Sequence, residues 1–596
     1  MIHKSVIEKF ETIRHETDLC VVGGGIAGML TALSAARHGA RVVLMQDRPV
    51  LGGNASSEVR MWIRGAHGDN MRETGILEEL ALENIYRNPT LNYSIWDSVL
   101  YGIIQYQDNI ELILNCSCNA AEMDGAMIKS IKGWQTTTQK WHEVRATLFA
   151  DCSGDSVLAP LTGAEWRMGR EARSEFGEDI APEQSDNCTM GMSCLIQARE
   201  TGRKVTYIPP KWAKNYNEDD FPFRLDLRTR DAWTTGNFWW MELGGVNDSI
   251  GDTEQLRDRL LEIAFGVWDF IKNSGACDAD NWELDWVGFL PGKRESRRYV
   301  GDYIMTQEDV RAGGRFDDLI AYGGWTMDDH HPEGFDTREQ PTIYHPAPSP
   351  FGIPYRCIYS KNIDNLLFAG RNISVSHTAF SATRVMATCG LVGQAAGCAA
   401  AIAIRDRILP RDVYHTNIEE LKQMLMDDDC YLPYNKRSIP ELTQRAELTA
   451  DGEPAPVLIN GVDRPVGDTQ NCWEGACGAE IIVDLKREAP VHSVRIVFDS
   501  ELNRESWREL NHEIKLYPQH CNVFADEKDV YVPQALVREF RIEGARDGEW
   551  VELYRECNNY QRLVRIPVEG TYSKIKFVPE KTWGAETVKL FALEVQ

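Results

Sequence analysis

The stretch DLCVVGGGIAGMLTALSAARHGARVVLMQDRPVLGG, residues 18–53, decides the fold. Residues 19–22 form a short, apolar, β-rich run that ends directly in Gly23-Gly24-Gly25-Ile26-Ala27-Gly28. A helical pattern continues through His38, and a second apolar run over 41–45 closes the unit. Strand, glycine turn, helix and strand in this register predict a Rossmann-like βαβ unit that binds a dinucleotide. Gly23 permits the tight turn, Gly25 lets the backbone approach a pyrophosphate, and Gly28 lets the helix pack on the strand. The helix that starts at Ile26-Ala27 then turns its N-terminal amides toward the phosphates. At the close of the second strand, where a ribose-binding acid is expected, stands Gln46 followed by Asp47. The Gln46 amide can hydrogen-bond a ribose hydroxyl without carrying charge. Beyond it, RPVLGGN (Arg48 to Asn54) adds the glycine pair Gly52-Gly53.

Outward from this unit, 596 residues exceed what one hydrophobic core serves, so two or three domains are expected. Hydrophobic residues at 43% and charged residues at 26% are globular values. A net charge of −26 disfavours nucleic acid and anionic membrane surfaces as partners, since both are gripped by Lys and Arg. The N-terminal residues show no signal-peptide core and no segment approaches a membrane span, which reads as a cytoplasmic protein. Fifteen cysteines without a CxxC pair suit reduced, structural thiols rather than an iron–sulfur or zinc site. Neither GxSxG, HExxH nor a P-loop occurs, so hydrolase and kinase chemistry has no foothold.

Further blocks follow the first. In ATLFADCSGDSVLAPLTGAEWRMGRE an apolar run over 146–150 stops at Asp151, and Ser153-Gly154-Asp155 makes a tight turn suited to a cofactor. In NLLFAGRNISVSHTAFSATRVMATCGLVGQAAGCAAA another apolar run ends at Gly370-Arg371, and a small-residue helix is expected over 382–404. With GKRESRRYVGDYIMTQEDV and the opening block extended by LGGNASSEVRMWIRGAHG, these resemble, in order, the FAD-dependent oxidoreductase family related to glutathione reductase and the fumarate reductase flavoproteins.

The resemblance implies an α/β architecture with noncovalent FAD, no HxxxHG-type attachment site being evident. The FAD-binding domain is discontinuous (1–160 and 355–430), and an α+β substrate domain is inserted over 161–354. Cofactor contacts are expected at Gly23, Gly25, Ile26, Ala27, Gly28, Gln46, Asp47, Arg48, Gly52, Gly53, Asn54, Ser57, Gly154, Asp155, Gly370 and Arg371. In such families the small-residue helix aims its positive end at the flavin pyrimidine. With a single dinucleotide fingerprint, electrons are expected from the substrate or a diffusible donor rather than from a bound nicotinamide.

Candidate chemistry clusters in the matched blocks. His377, in a loop ahead of that helix, is the first choice for acid/base work, with a hydrogen-bonded structural histidine as the alternative. His67 is second, on the same two readings. Arg384 clamps an anionic substrate, stabilises an enolate or anchors the flavin. Arg294, Glu295, Arg297 and Arg298 recognise a carboxylate or form an ion-pair lattice. The stretch TMDDHHPEGFD (Asp328, Asp329, His330, His331) reads as a substrate-facing loop rather than a metal site, since adjacent residues rarely converge on one ion. His345 is a weaker candidate.

After a polar, proline-punctuated stretch over 431–455, read as a linker, residues 456–596 change character. Short apolar runs at 479–485, 491–498, 514–516, 538–542, 550–554, 561–566, 574–578 and 587–593 predict an all-β jelly-roll sandwich, and they resemble a discoidin-like, galactose-binding-type module. Trp473, Trp550 and Trp583 either stack on sugar rings or serve the core. The expected activity is hydride removal from a hydroxyl carbon of a sugar or glycoside. The alternatives are reduction of an activated double bond in a carboxylate, and a flavin-bound carbohydrate-binding protein without turnover. A small-molecule or glycan substrate and a homo-oligomer are the expected partners.

Overall fold

The computed structural model describes residues 10–224, 237–504, 522–525 and 529–596. They divide into two compact units, one within Met1–Ile63, Trp96–Leu421 and His520–Glu527, the other within Arg64–Ile95, Lys422–Gln519 and Lys528–Gln596.

The first unit is built on a sheet of β1 (Thr12–Val22), β2 (Val42–Met45), β3 (Ile110–Ile113), β4 (Cys116–Asp124), β5 (Met127–Gln135), β6 (Lys140–Asp151) and β7 (Leu366–Phe368). The order β3-β2-β1-β6 is parallel, β5 and β4 add antiparallel strands, and β7 pairs parallel with β6. On one side β6 is shared: its first half meets β5 and its last three residues meet β7. The register sets Val22 opposite Met45 and Asp151, and Asp151 opposite Phe368. With Ile113 of β3 opposite Met45, five parallel strands thus end in one row, and their turns leave the sheet along one edge, where such sheets bind ligands. The buried run at the end of β1 reflects cover on both faces.

Helix α1 (Ile26–Arg37) follows the glycine turn, and late in the unit come α2 (His377–Thr383) and α3 (Met386–Asp406). A Cβ on Gly28 would sit 1.8 Å from the Gly23 carbonyl oxygen, and on Gly393 2.2 Å from that of Ala27. Backbone therefore lies on backbone where α1 meets α3, and the Thr31 hydroxyl donates across to the Gly393 carbonyl at 3.0 Å. Two expectations need correction. The helix expected over 382–404 is broken at Arg384-Val385, so His377 opens α2 instead of lying in a loop. And α3, 21 residues long, is long and apolar enough to cross a membrane, although it is buried almost throughout inside the protein. Its apolarity is that of a core helix.

Between these elements lie small sheets and the helix Thr253–Asn273, an α+β arrangement. The stretch read as a loop at Asp328-Asp329-His330 is instead the strand Met327–His330, paired with Thr342–His345 so that Asp329 faces Ile343 and His330 faces Thr342. Strand alternation sends Asp328 and His330 to one side and Asp329 to the other.

The second unit is antiparallel throughout: β8 (Glu447–Ala450), β9 (Glu453–Pro454), β10 (Trp473–Ala476), β11 (Ile481–Phe498), β12 (Val537–Arg546), β13 (Glu549–Glu556), β14 (Leu563–Thr582) and β15 (Thr587–Val595). The first half of β11 lies between β8 and the far half of β14, while its second half lies between β15 and the near half of β14. Register breaks after Asp484 and Val491 allow these long strands to bend. Each runs through both layers of a sandwich whose core includes Ile481, Val483, Ile496, Phe540, Phe577 and Leu590. Two pairs of runs read as separate strands, 479–485 with 491–498 and 561–566 with 574–578, are therefore single bent strands; the run at 514–516 lies outside the described residues. The stretch read as a linker contributes the helix Glu441–Gln444 and the strands β8 and β9. Arg64–Ile95, placed by the sequence in the nucleotide domain, belongs to this unit, where Ser500 and Arg504 hydrogen-bond Glu78 at 2.6 and 2.7 Å. None of the described cysteines is disulfide-bonded.

Candidate functional site

The glycine turn is held by the residue that departs from the motif. Gln46, 2% exposed, accepts the Gly24 amide on Oε1 at 2.7 Å and donates Nε2 to the Val50 carbonyl at 3.2 Å. The amide that the sequence offers to a ribose is thus taken up by the loop. Gly24 in turn accepts the Gly52 amide at 2.8 Å, and Gly25 bridges to Gly52, so the two glycine pairs lie side by side. A Cβ on Gly25 would meet nothing closer than Gly53 Cα at 3.9 Å: the turn has open space on that side. Neither α1 nor α3 has a side-chain N-cap or an acid in its first turn, so both leave amides for an anionic or polar group.

Next along the strand row, Asp151 is closed internally by the Ser153 and Leu158 amides and the Tyr299 hydroxyl. Asp155 beyond it meets Lys293 Nζ at 2.8 Å, Arg371 Nη2 at 2.9 Å and Ser296 Oγ at 2.8 Å. Burial pushes its carboxyl up, but the Arg371 and Lys293 charges and the hydrogen bonds outweigh this and hold it at about 2. Gly154 has φ +76, and a Cβ there would strike the Arg371 guanidinium at 2.5 Å.

A buried ion-pair array is assembled around the strand Met327–His330. On one side His330 stands between Glu242 (Nδ1 to Oε2, 2.6 Å) and Asp328 (Nε2 to Oδ2, 3.2 Å); Arg294 pairs with Glu242 at 3.3 Å and Arg384 with Asp328 at 2.9 Å. Burial disfavours the His330 charge, yet Glu242 and Asp328 raise its pKa. On the other side His377, 6% exposed, binds Glu295 through Nδ1 at 3.0 Å and presents Nε2 to Asp329 Oδ1 at 3.5 Å. Its backbone N–H donates to Glu171 at 2.8 Å, and Arg298 joins Glu171 to Glu295. Burial would lower the His377 pKa, but the Glu295 and Asp329 carboxylates raise it to about 9. Both His377 Nε2 and Asp329 Oδ1 are buried, and among the described residues neither has a hydrogen bond.

The structure distributes the remaining sequence candidates unevenly. Asp47 is exposed, and Arg48 lies 3.6 Å from it and 3.7 Å from Glu58. Asn54 donates to the Lys293 carbonyl at 3.0 Å, and the Ser57 amide donates to Asp97 at 3.0 Å. Ile26 and Ala27 are buried in the first turn of α1. The arginines of GKRESRR form the ion-pair lattice; Arg297 instead reaches the Asp155 carbonyl at 3.3 Å. His67 belongs to the second unit. His345 lies on the strand paired with Met327–His330, opposite Met327. Lys293, Ser296 and Glu242 as members of the site were missed; each depends on a partner more than eighty residues away.

These features fit FAD. Open space over Gly25, two uncapped helix N-termini, and buried Arg371 Nε, Asn372 Oδ1 and Thr388 Oγ1 that have no partner among the described residues suit a long ligand with phosphates and a polar ring. The residues that would hold it are the turn Gly23–Gly28, Gly52-Gly53, Gly154-Asp155 and Gly370-Asn372.

The family model described as FAD dependent oxidoreductase matches residues 18–425. No curated protein matches the chain. Among solved structures, a geranylgeranyl bacteriochlorophyll reductase-like protein from Thermoplasma acidophilum is similar at 11% identity over 70% of this chain and 86% of its own, TM-score 0.31. The family 32 carbohydrate-binding module of C. perfringens NanJ, solved with galactose, is similar at 11% identity over 26% of this chain and 95% of its own, TM-score 0.18. That of Streptococcus pneumoniae EndoD gives 10% identity, 26% and 97% coverage and TM-score 0.19.

Proposed function

This chain belongs to the FAD dependent oxidoreductase family, and on that footing we propose that it oxidises a hydroxyl-bearing carbon of a sugar or glycoside, with His377 taking the hydroxyl proton. When bound, FAD supplies the acceptor for the two electrons. The observation that carries the proposal is the state of His377: one ring nitrogen is fixed by Glu295, and the other is buried, lacks a hydrogen bond among the described residues and stands 3.5 Å from Asp329. Fixing Nδ1–H on a carboxylate makes Nε2 the proton acceptor of the neutral ring. The raised pKa means that the acceptor form becomes abundant only as pH climbs toward about 9, while at neutral pH the ring is a donor suited to the reverse reaction.

The arginines give less support to reduction of an unsaturated carboxylate, which needs a cation to grip the substrate. Arg294, Arg298 and Arg384 all face internal carboxylates. A sugar asks for hydroxyl partners and aromatic faces, and the half-buried Trp239 ring packs against His330 at 5.3 Å. In the sandwich, Trp473 packs on the core and Trp583 is held by the Asn559 carbonyl and Arg538, which supports a packing role for that module; Trp550 is 40% exposed.

The test is anaerobic incubation of flavin-loaded protein with a panel of sugars and glycosides, following flavin absorbance. Bleaching by a member of the panel, and a loss of roughly 100-fold or more in its rate in His377→Gln, is expected. Bleaching by none, or an undiminished rate in His377→Gln, overturns the proposal.

A further inference from the structure

A proton taken up by a buried histidine has to leave before the next turnover, and the surroundings of His377 offer a route. Glu295, on its Nδ1 side, has a side-chain exposure of 0%, and Glu171, on its backbone amide, is also buried. Asp329 differs. Its Oδ1 is buried and faces Nε2, yet 26% of its side chain reaches solvent. Strand alternation turns Asp329 away from its neighbours Asp328 and His330, which are bound to Arg384 and Glu242, so its carboxylate has no hydrogen-bonded competitor for Oδ1. The other charges acting on Asp329 are Arg170, itself paired with Asp186 at 2.5 Å, and His330.

We propose that Asp329 is the relay by which the proton on His377 passes to solvent. The inference rests on the proposed role of His377. In the forward direction the substrate O–H bond breaks as an N–H bond forms at Nε2. That N–H then breaks as an O–H bond forms on Asp329, and the Asp329 carboxyl yields its proton to a solvent base. No electrons move in the relay, and both side chains return to their starting charge. At 3.5 Å the two atoms are an ion pair rather than a hydrogen bond, so the transfer needs a small approach of the side chains. Asp329 acts through His377 and is a positioning and relay residue rather than a catalytic one.

The experiment uses the flavin-loaded protein with isotope-labelled histidine, the His377 ring signal being identified by its disappearance in His377→Gln. Exchange of the His377 ring N–H with solvent is measured by NMR in wild type, Asp329→Asn and Asp329→Glu, with and without added formate. The relay predicts exchange slowed roughly tenfold or more in Asp329→Asn, restored by formate, and close to wild type in Asp329→Glu. Unchanged exchange in Asp329→Asn, or slowed exchange that formate does not restore, overturns it. If Asp329→Asn does not fold, Asp329→Ser is measured in the same way. Undiminished bleaching in His377→Gln would remove the proposed role of His377. Unchanged exchange in Asp329→Asn, with His377→Gln inactive, would remove the relay alone.

Discussion

The Gln46 side chain accepts the Gly24 amide at 2.7 Å, so the residue that stands where an acid is expected is a structural member of the glycine turn. Gln46→Ala leaves the Gly24 N–H and the Val50 carbonyl unpaired in a buried place, at a cost of about 1–3 kcal/mol. A lowered thermal midpoint together with reduced flavin content after purification is expected. Gln46→Glu keeps the acceptor for Gly24 and should retain flavin. Full flavin and an unchanged midpoint in Gln46→Ala would show that the turn does not depend on this contact.

Gly393→Ala places a methyl group 2.2 Å from the Ala27 carbonyl oxygen, where neither helix backbone can yield cheaply. Overpacking of this kind costs about 1–3 kcal/mol or more. The urea midpoint should fall, and flavin retention should fall with it, because Ala27 belongs to the first turn of α1. An alanine variant as stable as wild type would mean that α1 and α3 are further apart than described.

How much of this could be read beforehand depended on the range of the interaction. The glycine turn, the strands ending at Val22, Asp151 and Phe368, and the all-β tail were legible because turn residues and apolar periodicity are local signals. The break at Arg384-Val385 was not, since Ala382 and Met386 carry the same helical pattern on either side of it. The strand at Asp328-Asp329-His330 was hidden for a different reason: of three polar residues in a row, two are buried and all three are partnered only because Glu242, Arg384 and His377 arrive from distant parts of the chain. Likewise the long bent strands β11 and β14 each look like two, since the bend carries polar residues.

Asp328→Ala removes the carboxylate that faces both the Arg384 guanidinium and the buried His330 ring and leaves both without it. Breaking a buried pair from one side costs about 3–5 kcal/mol. Denaturant unfolding should show that loss, and Asp328→Asn, which keeps the hydrogen bond from Thr342, should recover part of it. Equal stability of the alanine variant and wild type would contradict the array.

Stability should also depend on pH through two groups with opposite signs. Asp155, held at about 2, contributes stability that is present above the ordinary carboxylate range and lost as pH falls through about 2. His377, raised to about 9, contributes stability that is present below about 6.5 and lost as pH rises through about 9, at most about 3 kcal/mol. Comparing unfolding midpoints of wild type and His377→Gln between neutral pH and pH values above that range checks the second: the gap should narrow as pH rises. A gap that stays constant over this range would show that His377 is held neutral.

The most direct test of the proposed chemistry is the pH dependence of anaerobic flavin bleaching by an active sugar or glycoside. The predicted rate rises with pH, levels off above about 9, and is lost across the range in His377→Gln. A rate indifferent to pH, or one that His377→Gln leaves intact, would contradict it.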